Sequence, residues 1–344
     1  MNPPTPSLVT PDPPHSRLRV MLLGATGTIG QATARALLRR GHEVVAFVRP
    51  GRGVQRGRNG EGAPSVLPGV EQRQGDVCQP GALARDGFRG ERFDALVSCL
   101  ASRTGGPRDA WAVDHGAHRL ALQAASQAGV GHFVLLSAIC VQKPLLAFQQ
   151  AKLAFESELV ASGLRHSIVR PTAFFKSLSG QVDRVRRGRP FLVFGDGALT
   201  ACKPISDDDL GDYLADCLHE PARWNRVLPI GGPGPAVTPA DQARMLSALL
   251  GRPVPTRRVP VRLLDAVIAV LSTAGRVVPS LVDKAEFARI GRYYATESML
   301  VWDAAAGRYD AEATPSTGTQ TLQAHYARML KGQASAGLGD HAVF

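Results

Sequence analysis

The chain has 344 residues, 44% of them hydrophobic, and a formal net charge of +11. That is enough apolar material for one large α/β domain or a domain with a smaller lobe, and it excludes wholesale disorder. The positive charge points to anionic partners (phosphates, carboxylates or an acidic membrane surface), and no nucleic-acid partner is expected.

In chain order, residues 1–16, "MNPPTPSLVTPDPPHS", are proline-rich without the apolar run of a signal peptide and read as a disordered tail. From Leu18 apolar runs alternate with helical patterns, which predicts a Rossmann-type α/β fold, a doubly wound parallel sheet. Strands are expected at "LRVMLLG", "EVVAFVR", "VEQRQGDV", "ALVSCL", "HFVLLSA" and "RHSIVRP". The first helix, "TIGQATARALLRRG", closes on Gly41, suited to a left-handed cap. Further on, "ISDDDLGDYLADCL" offers Ser206 or Asp207 as N-cap, and "VTPADQARMLSALLG" offers Thr238 as cap with Pro239 at the first helical position. The most apolar later stretch, "LLDAVIAVLSTAGRVV" from Leu263, carries Asp265 and Arg276 and is too short to span a bilayer. The expected organisation is a nucleotide-binding domain over 17–171, the remainder of the sheet with a smaller substrate lobe over 172–330, and a flexible end over 331–344. A cytoplasmic setting is expected, with at most peripheral contact with a membrane. The five cysteines show neither CxxC nor zinc spacing, which agrees with a reducing compartment. His115 and His118 can share a helix face but lack a third ligand, so no metal site is expected.

"GATGTIG", Gly24 to Gly30, follows the first strand and opens the first helix. Gly24 permits a tight turn, Gly27 lets backbone approach a pyrophosphate, and Gly30 allows close helix–strand packing; Thr26, Thr28 and Ile29 complete the loop. An NAD enzyme places a carboxylate at the end of the second strand to hold the ribose 2′-OH. This strand ends "AFVR", and Arg49, followed by Arg52, can pair with a 2′-phosphate, which predicts NADPH. Arg56 and Arg58 read as a solvated Gly-rich loop. Asp76 in "QGDV" can reach the adenine edge or cap a helix.

"FQQAK", Phe148 to Lys152, follows the strand "HFVLLSA". With Ser137 at that strand's end and the glycine spacing above, it resembles the atypical short-chain dehydrogenases. In that superfamily the lysine holds the nicotinamide ribose and lowers the pKa of a tyrosine, which protonates a carbonyl oxygen. Phe148 stands where that tyrosine would be, so carbonyl reduction by this route is not expected. Reduction of a C=C bond conjugated to an electron sink needs no phenol there; a non-catalytic NADPH-binding subunit would also tolerate its loss.

Four stretches sharpen the resemblance: "VSCLASRTGG" (97–106), "LLSAICVQKPLLAFQQAKLAFE" (135–156), "RPTAFFKSLSGQV" (170–182) and "RIGRYYATESMLVWD" (289–303). Together they are similar to the NADPH-dependent divinyl chlorophyllide a 8-vinyl-reductases, over about Leu18 to Leu330, and the phenylalanine in place of tyrosine belongs to that family's pattern. The resemblance implies a magnesium tetrapyrrole, divinyl chlorophyllide a or its protochlorophyllide relative, whose 8-vinyl group becomes ethyl. The conjugated ring would be the electron sink, leaving the protein to orient it and supply a proton.

The expected roles follow. Lys152 holds the ribose and favours an anionic intermediate, a surface pair with Glu156 being the alternative. Ser137 is the active-site serine or a strand-end hydroxyl. Phe148 is an apolar wall or a core residue. Phe174 and Phe175 offer flat faces to a porphyrin, and Lys176 meets a propionate or is merely exposed. Tyr293, Tyr294, Cys140 and Glu297 are all candidates for the proton donor, and the oligomeric state is open.

Overall fold

The computed structural model describes residues 16–50, 54–56, 62–64, 68–278 and 280–334. The N-terminal tail up to residue 15, residues 335–344 and most of the Arg/Gly loop, Arg52 and Arg58 included, lie outside them.

The central sheet has seven strands: β1 (Arg19–Leu23), β2 (Glu43–Val48), β3 (Glu71–Gln74), β4 (Ala95–Ser98), β5 (His132–Leu136), β6 (His166–Pro171) and β7 (Arg226–Ile230), all of them apolar runs but the polar β3, "EQRQ". They pair in the order β7-β6-β5-β4-β1-β2-β3, and every pairing is parallel. The order reverses between β1 and β4, the switch point at which doubly wound sheets bind nucleotides beyond the strands' carboxyl ends. The six expected strands are all present; β7, "RVLPI" with a proline inside it, sits at the sheet edge, where a missing N–H costs no ladder bond.

Helices cover both faces. Helix α1 (Thr28–Arg39) ends with Gly41 at φ +79°. Helix α2 (His118–Gln127) is entered through a seven-residue π-helical stretch, Trp111–Ala117. Helix α3 (Ala147–Ala161) carries "FQQAK" in its first turns, and α4 (Asp207–Asp216) is capped by Ser206, whose hydroxyl accepts from the Asp209 N–H. Helices α1 and α4 touch through backbone: a Cβ on Gly211 would lie 2.6 Å from the Ala32 carbonyl carbon. Arg35–Asp208 (2.7 Å) and Arg40–Asp216 (2.5 Å) lace the exposed side of that contact.

The C-terminal part adds α5 (Pro239–Leu250), started by the Thr238 cap and Pro239 and ended by Gly251 in the left-handed region. Two long helices, α6 (Val261–Gly275) and α7 (Ser280–Thr296), pack as a hairpin, and α8 (Leu322–Leu330) closes a separate apolar cluster with α5. The sheet itself is packed by two clusters, one on each face.

Candidate active site

The cofactor end is built by close backbone contacts. Gly24 lies at φ +77°, and a Cβ there would come within 2.6 Å of the Cys99 carbonyl, so β1 and the segment after β4 approach as only glycine allows. At Gly30 a Cβ would stand 2.1 Å from the Gly24 oxygen, which holds α1 against the loop. Gly27 differs. Its φ is −78°, and a Cβ would meet nothing closer than 3.5 Å, so no contact within the chain demands glycine there. The open side of Gly27 adjoins the first turn of α1, where Thr28, Ile29 and Gly30 present N–H groups that no helical carbonyl can reach. This is a ready anion site. Ile29 buries its side chain in the core while Thr28 is exposed, and Thr26 is half-buried. Arg49 is exposed beyond β2 with no ion-pair partner among the described residues. Asp76 is engaged in its own turn, accepting from the Cys78 N–H at 3.0 Å.

The chemistry end is assembled from distant segments. Lys152 points inward from α3, with 10% of its side chain exposed, and its ammonium lies 2.9 Å from Asp114 Oδ1. Asp114 comes from the π-helical stretch and is fully buried; the same oxygen accepts from the Ser102 N–H at 3.3 Å, and Oδ2 has no hydrogen-bond partner. The alternative pair of Lys152 with Glu156, favoured by i,i+4 spacing, is not formed. Glu156 instead accepts from the Ser137 hydroxyl (2.5 Å) and pairs with the Arg170 guanidinium (3.1 Å). Ser137 therefore spends its proton on a buried carboxylate. Beneath Lys152, His118 is held by Ser98 (2.9 Å) and the Val113 carbonyl (3.0 Å), and burial followed by the lysine's charge pulls its pKa down to about 4. It is neutral at pH 7. Asp114, His118, Ser137, Lys152 and Phe155 line one narrow space.

The "YYATESMLVWD" stretch clamps the segment just after β5. The Tyr293 hydroxyl donates to the carbonyls of Cys140 (2.9 Å) and Lys143 (3.2 Å). Gln142 bonds the Leu300 carbonyl (2.5 Å) and the Trp302 N–H (2.8 Å), and Glu297 takes Lys143 (2.5 Å) and the Tyr309 hydroxyl (2.7 Å). Tyr293 and Glu297 are thereby occupied. The Tyr294 hydroxyl has one contact among the described residues, Cys140 Sγ at 4.0 Å, and burial pushes its pKa well above the ordinary tyrosine value. Cys140 is buried and its thiol pKa is raised by desolvation, with Lys152 near enough to oppose the rise.

Phe148 is half-buried in the cluster that holds Cys140, Ile290 and Tyr293, facing Gly105 of the "ASRTGG" loop. Phe174, the extended residue before a short helix, is half-buried against the sheet, whereas Phe175, the first residue of that helix, is 3% exposed and packs among Val182, Val185 and Phe191 inside the C-terminal cluster. Lys176 is half-buried and acts on Asp207, whose pKa is raised by burial against the pull of that lysine and of a Thr28 hydrogen bond. Sequence reasoning missed Asp114; an acid in the helical pattern "WAVDHGAH" was its one signal. Among the described residues no cluster of side chains could hold a metal ion.

A family profile described as NAD(P)H-binding matches residues 24–221. The divinyl chlorophyllide a 8-vinyl-reductase of Oryza sativa subsp. indica, named as chloroplastic, is 51% identical over 336 residues, covering 96% of this chain and 83% of its own length. The Arabidopsis thaliana protein of the same name is 45% identical over 334 residues, with 94% and 79% covered. Among solved structures, the complex of leucoanthocyanidin reductase with NADPH from Vitis vinifera superposes with a TM-score of 0.63 over 91% of this chain and 99% of its own, at 16% identity. Its likeness is one of fold. At that identity over nearly its whole length, the chain belongs to the divinyl chlorophyllide a 8-vinyl-reductase family.

Proposed function

We propose that Lys152, Tyr294 and the loop from Gly24 to Gly30 carry out the reaction of this family. The chain is an NADPH-dependent oxidoreductase that reduces the 8-vinyl group of a divinyl chlorophyllide to ethyl, a step of chlorophyll or bacteriochlorophyll synthesis. The carrying observation is 45–51% identity over nearly the whole chain to reductases so named. NADPH supplies the hydride. The residues present fit it: the first-turn N–H groups of α1 and the open side of Gly27 suit the pyrophosphate, and Arg49 suits the 2′-phosphate.

The chain's own part is to orient the macrocycle and deliver a proton. Hydride arriving at the vinyl terminus leaves negative charge that the conjugated ring spreads, and the inner vinyl carbon then takes a proton. Phe148 keeps the wall beside it apolar. Lys152, held in place by Asp114, hydrogen-bonds the nicotinamide ribose and lends a positive field to the developing charge. Tyr294 donates the proton: its hydroxyl carries the acidic hydrogen of the Cys140–Tyr294 pair, while Tyr293 is spent on two carbonyls and Glu297 on Lys143 and Tyr309. A non-catalytic NADPH-binding subunit gives no reason to keep a buried Lys–Asp pair, whose desolvation is expensive. The boundaries expected at 171 and 330 describe a Rossmann part and a substrate lobe in the same reading, and so does peripheral contact with a pigment-bearing membrane. Divinyl chlorophyllide a incubated with NADPH and the protein should show a blue-shifted Soret band and a product two hydrogens heavier. An unchanged spectrum and mass with folded protein would overturn the reading.

A further inference from the structure

Helix α6 is apolar on two sides. Toward α7 it turns the half-buried Leu264, Ile268 and Leu271 together with Ser272, which receives the Arg289 guanidinium at 2.8 Å, and the exposed Asp265 pairs with Arg292 at the rim of that contact. Gly275 lies against Val282 on the same side. The opposite side carries Leu263 (57% exposed), Val267 (40%), Val270 (68%) and, just past the helix, Val277 (83%). Positions 263, 267, 270 and 277 recur at helical spacing, so they form one apolar stripe, and no residue of α6 is buried. A soluble surface rarely leaves such a stripe contiguous without a partner.

Cations border the stripe. Arg262 and Arg276 stand at its two ends, and Arg257 and Arg258 lie on the exposed strand Thr256–Val259 that leads into α6. None of the four has an ion-pair partner among the described residues, whereas the helix's one acid, Asp265, is taken by Arg292. We propose that the outer face of α6 docks on an anionic lipid surface, the apolar stripe entering the headgroup boundary and the arginines meeting lipid phosphates. A second copy of the chain fits worse, because a two-fold contact through this face would set the same uncompensated arginines against each other. The helix lies on the membrane and does not cross it, since no helix among the described residues is long and apolar enough to span a bilayer.

The placement deepens the membrane contact proposed above and rests on it. Helix α7, on which α6 lies, carries Ile290, Tyr293 and Tyr294 into the cluster around Cys140 and Phe148. A docked α6 thus holds the site one helix away from the lipid in which an apolar macrocycle dissolves.

Flotation of the full chain with phosphatidylglycerol-containing phosphatidylcholine vesicles, without pigment, tests the surface separately from the reaction. Binding should exceed that to pure phosphatidylcholine and weaken with salt. The variant Leu263→Asp/Val270→Asp should lose at least about tenfold in partitioning, and Arg262→Gln/Arg276→Gln about tenfold, each charge contributing to lipid attraction. Both should bind NADPH and reduce detergent-dispersed pigment as the parent does; the arginine pair is exposed and serves if the aspartate variant fails to fold. Equal partitioning of parent and arginine variant overturns the proposal. So does a dimer that Leu263→Asp dissociates without vesicle binding, which would assign the face to a second copy. A loss of turnover on detergent-dispersed pigment would instead make the stripe part of the substrate site, and the docking surface would fall.

Discussion

The glycine loop and the lysine cluster are built on opposite principles. The loop is local: seven consecutive residues, two of whose glycines are forced by backbone atoms within 2.6 Å and a third left open. The cluster is global: Ser102, Asp114, Cys140, Lys152 and Tyr294 come from five segments, and each is positioned by packing that no neighbour in sequence dictates. The loop can be checked by adding one methyl group at a time, whereas the cluster yields only to removing its charges and hydroxyls.

The largest effect is expected at the cluster. Lys152→Ala removes the proposed ribose anchor and the positive charge together and leaves Asp114 buried with an uncompensated charge. kcat/KM should fall by about 10²–10³-fold, NADPH binding should weaken, and stability should drop by about 3–5 kcal/mol, the cost of orphaning one partner of a buried pair. Tyr294→Phe separates the roles. It should lower kcat by about 10²-fold or more, as for loss of a positioned proton donor, with NADPH affinity and melting temperature unchanged. Steady-state kinetics with cofactor titration reads both. A Tyr294→Phe enzyme of normal kcat would move the donor elsewhere, and a Lys152→Ala enzyme that loses only affinity would reduce the lysine to a binding residue.

How much was legible in the sequence follows the same division. Most strands and the caps were readable because their causes are short-range: apolar runs of four to six residues, a serine or threonine before a helix, a glycine after it. The i,i+4 rule suggested Glu156 as the partner of Lys152, yet tertiary packing turned Lys152 to Asp114 and Glu156 to Ser137 and Arg170. Phe174 and Phe175 are adjacent and alike in sequence; only the position of the C-terminal cluster decides which is core. Of the four proton-donor candidates, two are distinguished only by long-range contacts, since the hydrogen bonds of the C-terminal clamp occupy Tyr293 and Glu297.

At the loop the expected effects are smaller and opposed in sign. Gly27→Ala adds a methyl where nothing crowds it, so thermal stability should hold or rise slightly through the stiffer unfolded chain. NADPH affinity should nevertheless fall by about tenfold as the methyl meets the pyrophosphate. Gly30→Ala drives a Cβ into the Gly24 oxygen at 2.1 Å, so stability and affinity should fall together. Calorimetry beside NADPH titration distinguishes the two. If Gly27→Ala binds NADPH normally, the open side of that residue faces solvent and the pyrophosphate lies elsewhere.

The smallest effect is expected from restoring the missing phenol. Phe148 is half-buried among Cys140, Ile290 and Tyr293 and faces Gly105, whose own Cβ would lie 3.7 Å from its ring. A hydroxyl added there enters an apolar wall with no assigned partner, at a cost of about 1–3 kcal/mol if it stays unsatisfied. Nothing is gained chemically on the proposed mechanism, in which charge develops on the macrocycle rather than on a carbonyl oxygen beside the ring and Tyr294 supplies the proton from α7. Phe148→Tyr should therefore leave kcat equal or lowered only several-fold, an effect small beside that of Lys152→Ala. In a Tyr294→Phe background it should rescue little, since its hydroxyl would approach from α3 and not from α7. Turnover of the single and double variants at saturating NADPH decides the matter. A large gain in either would mean that proton delivery beside Lys152 limits the rate, and the phenylalanine of "FQQAK" would then be a handicap rather than a fitting wall.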